Sequence, residues 1–137
     1  MKITTTILLA FIYLSLTSCA GSPLHISTMS STQLKTANSW DLCNGYTITD
    51  SDDIRIELQR RGEMSLNDWG GIIMNKIHIG MSELALVCSW GYPNIWGSVN
   101  KSVGSWGVHK QYVYRSCRYC KGQYVYIENG KITSWSN

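Results

Sequence analysis

The run Lys76-Ile77-His78-Ile79-Gly80-Met81-Ser82-Glu83-Leu84-Ala85-Leu86-Val87-Cys88-Ser89-Trp90-Gly91-Tyr92-Pro93 decides the fold class, because the apolar period changes after it. Ser82 has the side chain that caps a helix, and Leu84, Leu86, Val87 and Cys88 carry that helix to Trp90. Gly91 suits the left-handed stop and Pro93 prevents resumption. Leu84, Val87 and Cys88 share one face, with Cys88 inward. Further on, the period drops to two. Gln111–Arg115 and Tyr124–Glu128 alternate and are rich in tyrosine and valine, the composition of strands. Asn129-Gly130 tolerates the positive φ of a tight hairpin, and Lys131 to Trp135 returns as the last strand. The expectation is an α+β domain, helices first, then an antiparallel meander covered by a helical layer.

Upstream, Asp50-Ser51-Asp52-Asp53 places acids and capping side chains at a second helix start. Ile54, Leu58 and Arg61 recur at helical spacing, Gly62 ends the helix, and Arg60 and Arg61 complement its dipole. Leu66 to Ile73, with Trp69, reads as a short helical piece that Gly70-Gly71 loosens. Gly21 to Ser39 is rich in Ser and Thr without an apolar period, which predicts a flexible tether spanning roughly 25 Å. Asn94 to Gly107 reads as a flexible Gly/Ser loop holding Trp96 and Trp106. Such aromatics either anchor a partner or fold back over a sheet edge.

The chain begins MKITTTILLAFIYLSLTSCAG, with Lys2, an apolar run from Ile7 to Leu16, and small residues before Cys19. That is the layout of a secretory signal, and its apolar run is too short to span a bilayer. Leu16-Thr17-Ser18-Cys19 resembles the lipobox of bacterial lipoproteins, which implies lipidation at Cys19. An ordinary signal with an incidental cysteine is the plainer alternative. Ala20 and Gly21, with no aspartate, resemble signals that sort to the outer membrane. The expected organisation is a signal peptide at 1–18, lipidated cysteine and tether at 19–40, and one domain at 41–137.

Twelve glycines, eight tyrosines and six tryptophans against two prolines suit a compact domain with much β-structure. Charge is uneven. Between Ala20 and Asn75 seven acids face four basic residues, whereas from Lys101 onward six basic residues face Glu128 alone. A basic C-terminal third can meet anionic headgroups or an acidic partner, or be a solvated face. An envelope address argues against nucleic acid.

With Cys19 assigned to lipid, Cys43, Cys88, Cys117 and Cys120 remain, and four cysteines allow three pairings. Cys43–Cys88 with Cys117–Cys120 is the favoured set. A redox motif at Cys117-Arg118-Tyr119-Cys120 lacks the helix start that lowers a thiol pKa, and zinc would need more ligands than His109 supplies. No phosphate loop, Gly-x-Ser-x-Gly or His-Glu-x-x-His is present. No catalytic residues, cofactor, metal or small-molecule substrate are therefore expected. His78, alternating with Ile77 and Ile79, is expected to point outward.

Three blocks carry a resemblance: Ile77 to Ser82 with the run to Pro93, then Lys110 to Tyr114, then Tyr126 to Ile132 with its Asn-Gly turn. Their order and spacing resemble the SmpA/OmlA (BamE-like) family of outer-membrane lipoproteins over residues 76–135. The resemblance implies two helices packed on a three-stranded antiparallel sheet, and a place in envelope or barrel assembly. The family's Tyr-x-Pro-Asp arm has no counterpart ahead of the first block, where Asp41-Leu42-Cys43 and the acidic helix stand. The expected function is a lipid-anchored module that holds an envelope protein, with Trp96, Trp106, Lys110, Arg115 and Arg118 as partner-binding residues. An inhibitor or phage-exclusion lipoprotein presenting the tryptophan loop is the alternative, and a thiol oxidoreductase at Cys117 and Cys120 a third.

Overall fold

A computed structural model describes residues 23–137; Cys19 and the segment read as a signal lie outside the described residues. Six helices come first: α1 (Pro23–Ser27), α2 (Ser31–Thr36), α3 (Ser39–Thr49), α4 (Asp52–Arg61), α5 (Leu66–Ile73) and α6 (Glu83–Trp90). Four strands follow: β1 (Ser98–Gly104), β2 (Gly107–Tyr114), β3 (Gln123–Glu128) and β4 (Lys131–Ser136). They pair antiparallel in the order β1-β2-β3-β4. The fold is α+β, but with six helices and four strands among the described residues where two helices on three strands were expected.

α6 is the centre. Ser82 caps it by accepting from the Ala85 amide, and Gly91 ends it at φ +74°. Every residue from Glu83 to Ser89 is buried, as befits a helix enclosed on all sides. α3 and α5 flank it, and Cys43 on α3 is joined to Cys88 by a disulfide. Leu42, Leu86, Met81, Val125, Ile127 and Ile132 fill the core around it.

The first correction concerns the tether. Residues 23–36 form two short helices, and Ile26 and Leu34 are 2% and 3% exposed. Ser30 and Asn38 in this stretch are helix caps. Ser30 and Gln33 form a reciprocal capping box on α2, and Asn38 accepts from the Trp40 amide at the start of α3. Gly45 leaves space for Ile26, since a Cβ there would stand 2.7 Å from Ile26 Cγ2. Helices of five and six residues are too short to display a period, so one buried residue each escaped the pattern.

Arg61 fastens α2 to α4. Its guanidinium donates to Glu57 Oε1 (2.9 Å), Ser39 Oγ (2.8 Å) and the Leu34 carbonyl (2.9 Å), so it binds the orphan end of α2. Glu57 also receives two bonds from Arg60, at 2.7 and 2.8 Å. Hydrogen bonds from Arg60 and Arg61 pull the Glu57 carboxyl from its ordinary 4.5 to about 2. A depressed folded-state value means the contribution is whole above pH 4.5 and disappears as pH falls toward 2. Urea titrations at pH 7, 4 and 2.5 should therefore show Glu57→Gln less stable than wild type at pH 7, the gap narrowing with acid. A gap independent of pH would contradict this assignment.

α5 continues through Gly70-Gly71 rather than loosening there. Gly71 is needed because the chain reverses against it: the Lys76 amide donates to the Gly71 carbonyl at 2.8 Å, leaving no room for a Cβ. Asp68, buried on α5, reciprocates the Ser65 cap and accepts from the Ser82 amide and hydroxyl, both at 3.2 Å. One carboxylate thus organises the starts of two helices.

The second correction concerns the tryptophan loop, seven residues of which form β1. Its hairpin to β2 turns at Ser105-Trp106, between the paired Gly104 and Gly107. Asn129 and Gly130 make the β3–β4 turn at φ +50° and +79°, as their sequence demands. The outer edge of β4 begins under cover: the Gly80 amide donates to the Ile132 carbonyl, the Ile132 amide to Met81, and Ser82 bridges Lys131. β1 pairs with β2 alone, so among the described residues its other edge is open.

Candidate functional site

The open edge is the most distinctive surface on the sheet. Residues 98–103 of β1 are all exposed. Val99, Lys101 and Val103 lie opposite Tyr112, Lys110 and Val108, on the face that carries the helices, while Ser98, Asn100 and Ser102 are on the other. Val99 and Val103 remain exposed, so β1 extends past the helical cover. An edge of this kind offers free amides, carbonyls and two apolar side chains to an added strand. Lys101 is its only charge.

Trp96 and Trp106 bracket the strand, 42% and 67% exposed. They stand at opposite ends of about 20 Å of chain, at about 3.3 Å per residue. They do not form one patch. Trp106 lies over Gly104 in its own hairpin and meets His109 edge-on at 6.4 Å between centroids.

The three basic residues expected beside them are dispersed. Lys110 is internal: its ammonium donates to both Glu83 oxygens, at 2.7 and 2.9 Å, and the Tyr112 hydroxyl joins them at 2.7 Å. This brace pins β2 to the first turn of α6, so Lys110 has a structural partner. Burial, followed by the neighbouring Glu83 carboxylate, raises the pKa of Tyr112 and Tyr114. Arg115 stands just past β2, with its Nη2 3.4 Å from the Tyr124 hydroxyl. Arg118 lies over the Tyr119 ring at 5.6 Å in the β2–β3 connection.

Cys117 and Cys120 are joined by a disulfide in that connection, closed by a 3.2 Å bond from the Cys120 amide to the Cys117 carbonyl. No helix begins there to lower a thiol pKa. His109 lies toward the other end of β2, its Nδ1 3.6 Å from Glu128, so it does not join the cysteines. Among the described residues no group of three or more His, Cys, Asp or Glu is placed to hold a metal ion. His78 is half-buried rather than outward, its Nε2 3.8 Å from Asp68 and its ring within 3.3 Å of the Asn67 amide. Ser82 gives its proton to Asp68 rather than to His78, which makes the trio a helix cap and not a nucleophile with its base.

Sequence reasoning missed a second apolar surface. Leu66, Ile73 and Met74 are exposed on and beside α5, with Ile79 also exposed, while Trp69 and Ile72 face the core. Leu66, Gly70 and Ile73 fall at i, i+4 and i+7, the spacing of one helix face, and that was the available signal. Among the described residues, no helix is long and apolar enough to cross a membrane.

Comparison with known proteins identifies no relative: no family model matches the chain, and no curated protein or solved structure matches it significantly. The SmpA/OmlA resemblance therefore rests on the three sequence blocks alone.

Proposed function

We propose that this chain is a non-enzymatic lipoprotein of the bacterial outer membrane, anchored through Cys19, that binds an envelope protein by accepting an extended segment along β1. The open β1 edge between Trp96 and Trp106 carries the reading. A strand added there completes main-chain hydrogen bonds, covers Val99 and Val103, and meets a large aromatic at each end. Lys101 opposes pairing with a second copy of the same strand and suits an acidic partner segment. The N-terminal layout of Lys2, a short apolar run and Leu16-Thr17-Ser18-Cys19 supports the address. A place in barrel assembly extends the SmpA/OmlA resemblance from sequence to function. The inhibitor reading rests on Trp106 alone, exposed at a hairpin tip.

The test is crosslinking in living cells, followed by identification of what copurifies from the membrane fraction. Trp96→Ala with Trp106→Ala should lower recovery of the partner at least about tenfold while leaving the far-ultraviolet circular dichroism unchanged. Recovery that survives the double variant would remove the β1 flank from the binding surface. Recovery of barrel-assembly components would join this chain to that machine; recovery of a phage or other incoming protein would favour the inhibitor reading.

A further inference from the structure

The correction to the tether changes how far the domain can stand from its anchor. Four Cα–Cα steps separate Cys19 from Pro23, the first residue of α1. Fully extended, they reach about 14 Å. That is close to one radius of gyration for a domain of this size, roughly 13 Å. A chain anchored at Cys19 therefore cannot hold the domain clear of the bilayer, and the surface that carries α1 is turned toward the lipid. A flexible segment over residues 21–39 would allow a stand-off that α1 and α2, packed into the core through Ile26 and Leu34, forbid.

The packing defines what that surface presents. α1 lies on α3, where Ile26 meets Gly45. The end of α6 reaches the same turns of α3: a Cβ on Gly91 would stand 3.4 Å from Thr47 Oγ1 and 3.7 Å from Asn44 Oδ1. Between these two contacts α3 shows one strip, Asp41, Asn44 and Ile48, at i, i+3 and i+7. Ile48 is exposed, and so are Leu24 on α1 and Tyr92 just after α6. Partial burial, followed by the Asp41 carboxylate, raises the Tyr92 pKa, which sets that ring beside the strip. Ile95, also exposed, follows in a turn closed by a 2.9 Å bond from the Gly97 amide to the Asn94 carbonyl.

Leucine and isoleucine side chains at such a surface have apolar area to bury in the headgroup layer, and tyrosine is a side chain of membrane interfaces. Asp41 lies in the strip, which suits zwitterionic rather than anionic headgroups.

We infer that this face, with Leu24, Ile48, Tyr92 and Ile95, rests in the headgroup layer of a zwitterionic phospholipid bilayer, held there by the short leash from Cys19. Tethering makes the contact intramolecular, so individually weak contacts suffice. The inference rests on lipidation at Cys19, as proposed above, and is independent of the β1 edge.

The test uses the whole protein, produced with its native signal and with its disulfides intact. Mass spectrometry first reads the lipid on Cys19. The protein is then placed in phosphatidylcholine nanodiscs that carry a spin label on the headgroup, and nuclear magnetic resonance reads the broadening of each amide. Broadening should be strongest at Leu24, Ile48, Tyr92 and Ile95. It should be weak at Asn129, in the turn held against the start of α6 by the bond from the Glu83 amide to the Gly130 carbonyl. A variant with about twenty Gly and Ser residues inserted after Ala20 gains a reach of roughly 25 Å. It should lose most of the broadening while its urea midpoint stays at the wild-type value. Broadening centred on Leu66, Ile73 and Met74 would give the bilayer to α5 and overturn the assignment. Broadening spread evenly over the domain, or unchanged by the insertion, would overturn it too. Cys19 without lipid would remove the anchor from the proposed function and this contact with it, whereas a lipidated protein without broadening at Leu24 would remove the contact alone.

Discussion

Replacing Cys43 and Cys88 together with alanine should cost about 4 kcal/mol of stability, because the bridge closes a long loop in the unfolded chain. The two cysteines are 45 residues apart, and both are fully enclosed between α3 and α6. Removing the bridge restores conformational freedom across the two intervening helices, α4 and α5, and frees α3 from α6 at the centre of the core. Cys117 and Cys120 are only three residues apart, so the same reasoning gives that pair about 2 kcal/mol. Urea midpoints of the two double variants, measured against wild type without reductant, separate the cases. Equal shifts, or a larger one for the short bridge, would contradict the assignment of Cys43–Cys88 as the staple of the domain.

The second large effect concerns the residues before α3. Ile26→Ala with Leu34→Ala should destabilise the protein by about 5 kcal/mol, taking roughly 2–3 kcal/mol for each buried aliphatic truncated. The two sit on separate helices, α1 and α2, so their losses should be close to additive. Gly45→Ala approaches the same contact from the other side and should cost about 1–3 kcal/mol by overpacking against Ile26. A tether would respond to none of these changes. Chemical denaturation of the double variant is decisive: a midpoint like that of wild type would restore the flexible reading and displace α1 and α2 from the core.

The sequence was most legible where capping, period and turn chemistry agree. Ser82, Gly91 and Pro93 bounded α6, Gly62 ended α4, and Asn129-Gly130 placed the last hairpin. It was least legible where elements are short or where tertiary pairing overrides local composition. α1 and α2 are too brief to show a period, and their polar caps resemble linker chemistry. β1 carries Gly, Ser and Asn in and around it, and its strand state comes from pairing with β2 rather than from its own propensity. For the site, Trp96 and Trp106 stand out in the sequence among Gly and Ser, but only the register shows that a strand separates them. Lys110 is a basic residue in an acid-poor stretch, yet Glu83, distant in sequence, claims it. The burial of Arg115 Nε has no sequence signal, because it depends on Gly122 and Tyr124 closing around it.

The central claim is that the β1 edge receives a partner strand. A photoactivatable residue at Lys101, in the middle of that edge, tests it in living cells, with the same residue at exposed Asp53 on α4 as the comparison. The account predicts one dominant crosslinked envelope protein from position 101, attached through an extended acidic segment, and little of it from position 53. Equal crosslinking from both positions, or none from position 101, would contradict it.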